Sequence, residues 1–134
     1  MQKRVVGYDW DGTLISACWL NFHEARPYRE NIAEVLDLIR EGHEVHIITA
    51  RCTPFRALTI RQIKQYLGAD FPEERIHTQP LDAYAGDEAV TRYKTNKLRE
   101  IGAHSFCGDT DVDWEAAKNN FIPFFPPLHM RGEI

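Results

Sequence analysis

The stretch Val5-Val6-Gly7-Tyr8-Asp9-Trp10-Asp11-Gly12-Thr13-Leu14 sets two carboxylates one residue apart, directly after a short apolar run. The run reads as a buried strand, and the two-residue period of a strand points Asp9 and Asp11 the same way at its C-terminal end. Open α/β sheets bind their ligands at that end. Two like charges held so close repel, so the pair requires a cation or a shared proton.

Working outward, strand-like segments recur at 4–8, 44–48, 75–78, 105–107 and 122–125, with helical segments between them. Residues 31–40 carry Ile32, Val35, Leu36 and Ile39 at helical spacing, with Gly42 just beyond as a stop signal. Residues 55–67 place Leu58, Ile63 and Leu67 on a similar face before Gly68, residues 90–101 end at Gly102, and 113–119 form a shorter fourth helix. This alternation predicts an α/β fold, a three-layer doubly wound parallel sheet of Rossmann-like type. The stretch 79–87, with Pro80 and Gly86, reads as an exposed loop, and the tail after Pro126-Pro127 as peripheral to the core.

The chain has 134 residues, the length of one domain spanning 1–134, and shows no internal repeat or low-complexity linker. Its formal net charge of −4, without long runs of one sign, gives no basic footprint for nucleic acid. Apolar stretches are far shorter than a membrane span, and two apolar residues after Arg4 are too few for a secretory signal, so a soluble cytoplasmic protein is expected. Cys18, Cys52 and Cys107 are isolated and read as reduced thiols. The six histidines show no metal-ligand spacing.

Chemistry-bearing residues cluster at the predicted strand ends. Thr49-Ala50-Arg51 follows the second strand, Gly108-Asp109-Thr110-Asp111-Val112-Asp113 follows the fourth, and Lys94 begins the helix between them. A parallel sheet brings such ends together, so Asp9, Asp11, Thr49, Lys94, Asp109 and Asp113 are expected in one pocket. The acids of 109–113 also match the first, third and fifth positions of a calcium-binding EF-hand loop. The sixth position is Trp114 rather than glycine and the twelfth is Asn120 rather than glutamate, which excludes that loop.

Together these residues resemble the four signature motifs of the haloacid dehalogenase superfamily: Asp9-Trp10-Asp11-Gly12-Thr13 the first, Thr49 the second, Lys94 the third, and Gly108-Asp109 with Asp113 the fourth. The resemblance implies a Mg²⁺-dependent phosphomonoesterase acting through an aspartyl-phosphate. By similarity Asp9 is the nucleophile and Asp11 the general acid/base. The metal ligands are then Asp9, the backbone carbonyl of Asp11, and Asp109, with Asp113 holding a metal-bound water or orienting Lys94. Thr49 and backbone donors near Gly12 and Thr13 would bind phosphoryl oxygens, and Lys94 would neutralise charge. Ala50 and Arg51 complete the expected substrate-binding set. Arg51 either grips a second part of the substrate or covers the following helix.

Lys97 lies one turn from Lys94, but the spacing of Lys94 from Leu98 and Gly102 better resembles the third motif. Trp10 reads as packing, as do Trp19, Phe22 and Tyr28, which are alternatively entrance residues. With little room for a cap insertion, the chain resembles a capless member, whose open site suits a large phosphorylated substrate or is closed by a homo-oligomer partner. The substrate is left open among small metabolites, nucleotides and nucleic-acid ends. The alternatives are a catalytically silent binding module and a phosphotransferase on the same fold.

Overall fold

A computed structural model describes residues 2–18, 21–81 and 86–131. Its elements follow in the order β1 (Val5–Tyr8), α1 (Arg29–Arg40), β2 (Glu44–Cys52), α2 (Arg56–Leu67), β3 (Ile76–Gln79), α3 (Gly86–Ile101), β4 (Ser105–Cys107), α4 (Asp111–Asn119), β5 (Phe124–Phe125) and α5 (Leu128–Arg131). The strands form one sheet in the order β3-β2-β1-β4-β5, every neighbouring pair parallel. The expected three-layer α/β sheet is therefore present, and the direction of winding reverses between β1 and β4. No helix among the described residues is long and apolar enough to cross a membrane.

The strands alternate their side chains between two apolar layers. Val6, Tyr8, Val45, Ile47 and Ile76 pack with Val35 of α1 and with Ile63 and Leu67 of α2. On the other face Ile48 and Phe106 pack with Leu98 of α3 and with Ala116 and Ala117 of α4. Gly7 matters to this second layer. A Cβ at Gly7 would lie 3.0 Å from both Leu98 and Phe106, so its absence lets α3 settle close against β1.

Several boundaries differ from the sequence expectation. The second strand runs on to Cys52, because Thr49 pairs with Thr78 and Cys52 with Gln79 across an irregular register. Thr49, Ala50 and Arg51 thus lie within β2 and not beyond it. Helix α3 starts at Gly86, four residues earlier than expected. Helix α4 starts at Asp111, where Thr110 and Asp113 form a reciprocal capping box. Of the expected 79–87 loop, Gln79 belongs to β3, residues 86 and 87 open α3, and residues 82–85 lie outside the described residues. Trp10 is fully buried and Phe22 is buried, whereas Trp19 lies outside the described residues. Among the described residues of the tail, 128–131, none is buried, yet α5 is tied to the start of α1 by His129 stacking on Tyr28 and to α1 itself by Arg131 pairing with Glu34 at 3.1 Å.

On the α3 side of β2 and β3, His46 and His77 stack with their rings 11° apart. His46 Nε2 lies 2.6 Å from Glu44 Oε2 and His46 Nδ1 lies 2.8 Å from His77 Nε2. One proton fits between the two rings, so both cannot be charged without two N–H groups facing each other. Burial, then the charges of His46 and Lys97, push the His77 pKa down from 6.5 to about 4; Arg56 adds to this and Glu100 opposes it. Hydrogen bonding to His46 likewise holds Glu44 below the usual carboxylate value. The unfolded chain therefore takes up a proton at residue 77 before the folded chain does. Stability from this group is full above pH 6.5 and falls as pH drops toward 4. Urea unfolding of the parent and of His77→Gln across pH 4–7 should show a shallower loss of stability in the variant.

Candidate active site

Asp9 follows β1 directly, and its N–H donates to the Cys107 carbonyl at 2.9 Å, extending the β1–β4 ladder by one residue. This pins the carboxylate where the sheet reverses winding, the place where such sheets bind ligands. The chain then folds around the Trp10 carbonyl, which accepts from the N–H groups of Thr13 (3.2 Å), Leu14 (2.9 Å) and Ile15 (3.2 Å). Gly12 takes φ +82° in this turn, and a side chain there would run into the Asp109 carboxylate. A Cβ at Gly108 would similarly overlap Asp113. These two glycines let the loops after β1 and β4 meet.

What meets there is a set of buried charges. Lys94 Nζ donates to Asp9 Oδ1 at 2.9 Å and to Asp113 Oδ1 at 2.6 Å. The Thr13 hydroxyl lies 3.1 Å from Asp9 Oδ2 and 3.3 Å from Asp109 Oδ1, between two carboxylates of which it can donate to one at a time. Asp113 Oδ2 accepts from the Thr110 hydroxyl at 3.0 Å. Burial raises the Asp9 pKa to about 7, with Lys94 opposing and Asp109 adding to the rise. Burial, then the charge of Asp9, also raises Asp113. Burial opposes the charge of Lys94, but Asp113 and Asp9 outweigh it and hold the ammonium above its ordinary pKa. Lys97 pairs instead with Glu100 at 3.1 Å, so Lys94 is the lysine of this cluster.

The two aspartates of the opening motif part company. Asp9 keeps the strand alternation and faces Lys94 of α3. Asp11 lies past the end of β1, and its two oxygens accept from Arg51 Nε at 2.9 Å and Arg51 Nη2 at 2.7 Å. Arg51 is 1 % exposed. Its Nη1 donates to Gln62 Oε1 at 2.7 Å and Thr59 Oγ1 at 3.3 Å, and its guanidinium lies 3.9 Å from the centre of the Phe22 ring. A bidentate pair of this kind is strong and geometrically strict. Arg51 neither covers α2 from outside nor faces the cavity; it anchors Asp11.

The open space beside this cluster measures about 370 Å³, and Asp9, Asp11, Ala50, Lys94, Asp109 and Asp113 line it, together with Ala17, Asp87, Val90, Thr110, Asp111 and Val112. Thr49 is buried, and its Oγ1 accepts from the Arg51 N–H at 3.1 Å, which leaves the hydroxyl proton to donate elsewhere. The N–H groups of Gly12 and Thr13 are engaged within the turn, on the carbonyls of Ile15 (2.7 Å) and Trp10 (3.2 Å). Sequence reasoning did not single out Gln62, Thr59 or the rim residues Asp87 and Val90. The signal for the first two was present, since polar residues three apart on the inward face of a crossover helix imply a polar partner beneath.

Carboxylate oxygens of Asp9, Asp109 and Asp113 lie within 4.8 Å of one another. Hard oxygen donors around a mutually repelling carboxylate pair suit a divalent cation such as Mg²⁺. The Asp11 carboxylate is not in this set, because Arg51 holds it. Millimolar Mg²⁺ should raise the melting temperature of the parent, and Asp109→Asn should remove most of that rise. Lys94→Met leaves Asp9 and Asp113 without their cation. Urea unfolding at pH 7 should show a loss of about 3–5 kcal/mol, partly restored by added Mg²⁺.

No family model matches the sequence. No curated protein matches it either. Solved structures do match. The class C acid phosphatase from Bacillus anthracis superposes with a TM-score of 0.63 at 13 % identity, over 95 % of this chain and 67 % of that one. The cobalt-bound deoxy-D-mannose-octulosonate 8-phosphate phosphatase from Haemophilus influenzae gives 0.54 at 17 %, over 87 % and 64 %. A hypothetical protein from Xanthomonas campestris gives 0.54 at 21 %, over 98 % and 70 %. At these identities the likeness is one of fold: the chain has the parallel α/β fold of the class C acid phosphatase and the octulosonate 8-phosphate phosphatase.

Proposed function

We propose that the chain is a Mg²⁺-dependent phosphomonoesterase working through an aspartyl-phosphate on Asp9. The observation that carries this is the convergence of Asp9, Lys94, Asp109 and Asp113 on one cavity at the winding reversal, with Lys94 on one oxygen of Asp9 and Thr13 beside the other. The resemblance of the four motifs and the shared fold with two phosphatases support the same reading.

In the first step an Asp9 oxygen attacks phosphorus, the bond from phosphorus to the ester oxygen breaks, and the leaving oxygen takes a proton from Asp11. In the second, Asp11 takes a proton from a water that attacks the phosphorus, releasing orthophosphate and freeing Asp9. Lys94 holds Asp9 in line and offsets negative charge on the nucleophile. Arg51 fixes where the Asp11 carboxylate sits, at the cavity wall. Ala50 lines the cavity and leaves room for the phosphoryl group, while Thr49, which is not among the described lining residues, accepts from the Arg51 N–H. Asp9, Asp109, Asp113 and the Asp11 backbone carbonyl would hold Mg²⁺, which would supply charge neutralisation for the transfer.

The two aspartates should fail differently. Hydrolysis of p-nitrophenyl phosphate with Mg²⁺ should vanish in Asp9→Asn, with no phosphate adduct after an acid quench. In Asp11→Asn it should slow by about 10²–10⁴-fold, with the adduct still detectable by mass spectrometry. Equal small losses in both variants would overturn the division of roles.

A further inference from the structure

The described lining of the cavity leaves no cationic side chain for the rest of the substrate. Among the described residues that line it, Lys94 is the sole cationic side chain, and both Asp9 and Asp113 hold it, at 2.9 and 2.6 Å. The other buried cation nearby, Arg51, is turned onto Asp11, Gln62 and Thr59 and is absent from the cavity wall. The internal segments outside the described residues, 19–20 and 82–85, contain no Lys, Arg or His.

Beyond the charge cluster the described lining is apolar or acidic apart from Thr110, whose hydroxyl is given to Asp113. Ala17, Ala50, Val90 and Val112 supply the apolar part, and Asp87 and Asp111 stand at the rim. Asp87, Asp111 and Val112 also line an adjoining groove of about 530 Å³ between α3 and α4, shared with Glu88, Arg92 and Glu115. The one cation among the described residues that line it, Arg92, sits 3.9 Å from Glu88 on the same helix, an exposed pair. A leaving group that runs from the site into this groove passes between carboxylates. Its path carries the same sign as a carboxylate or a second phosphate, and the walls focus that field.

Resting on the phosphatase reading above, we propose that this site selects phosphate monoesters whose leaving group bears an ammonium, accepts neutral ones more slowly, and rejects those with a further anionic group, including nucleic-acid ends. Both cations near the phosphate are used internally to hold the catalytic carboxylates, so discrimination falls to Asp87 and Asp111. The preference lies in charge along the exit path and not in a shaped contact, so it weakens as salt screens it.

The test compares phosphoethanolamine, 2-hydroxyethyl phosphate and phosphoglycolate, which are close in size and differ in charge, together with a 3′-phosphorylated oligonucleotide. kcat/KM with Mg²⁺ at low ionic strength should fall in that order, by at least about tenfold between the first and third, and the oligonucleotide should be the poorest. The ratio of phosphoethanolamine to phosphoglycolate should shrink several-fold in Asp87→Asn/Asp111→Asn and in 0.5 M salt. Calorimetric binding of the same esters to Asp9→Asn with Mg²⁺ reads the preference without turnover. The expected binding order with no hydrolysis by the parent would sustain the charge preference while ending the phosphatase reading. Phosphoglycolate or the oligonucleotide handled as well as phosphoethanolamine, or a ratio unmoved by both the double substitution and salt, would overturn the proposal.

Discussion

Everything around the end of β1 answers to one electrostatic constraint, the holding of several carboxylates out of water within a few ångströms of each other. Removing an ion from water costs several kcal/mol even after the surroundings relax, and like charges add to that cost. The fold meets it with two cations brought from opposite sides of the sheet. Lys94 comes from α3 and takes Asp9 and Asp113. Arg51 comes from β2, is steadied by α2 through Thr59 and Gln62, and takes Asp11. A carboxylate pair written as one motif is thus held by two separate supports.

This arrangement also explains the polar residues in the layers. Helix α2 buries Thr59 and Gln62 where an ordinary crossover helix would bury aliphatic side chains, because the guanidinium of Arg51 lies beneath them. Gln62 then reaches on to the Phe22 carbonyl at 2.7 Å, so the segment leading to α1 is fastened to the same anchor. Asn31 does similar work on α1, donating to the Thr13 carbonyl at 2.7 Å and lying 2.8 Å from the His129 ring nitrogen. Gln62 and Asn31 thus each position a part of the loop that carries the aspartates.

The strand and helix pattern was legible because apolar periodicity records which face each element buries. The meeting of Asp9, Lys94, Asp109 and Asp113 followed from strand-end positions once the sheet was taken as parallel. Three things were not legible. The extension of β2 to Cys52 depends on pairing with β3, a contact distant in sequence. The parting of Asp9 and Asp11 depends on the strand ending at Tyr8, after which period-two geometry no longer applies. The inward turn of Arg51 needed the tertiary position of Gln62 and Phe22. A lone arginine after a threonine carries no mark of which way it faces.

Helix α3 carries Asp87 and Val90 at the cavity rim, Lys94 in the charge cluster and Leu98 in the core. These sit at spacings of three and four residues, so one stripe of one rigid rod serves rim, chemistry and packing, and the gap left by Gly7 sets its height over Asp9. A helix advances by about 100° per residue. Adding or deleting a single residue between Val90 and Leu98 would swing one part of that stripe away from the other. Change in chain length is therefore forbidden inside α3 while point substitution on its outer face is free, and length variation among descendants of this sequence must collect in the segments that flank the helix.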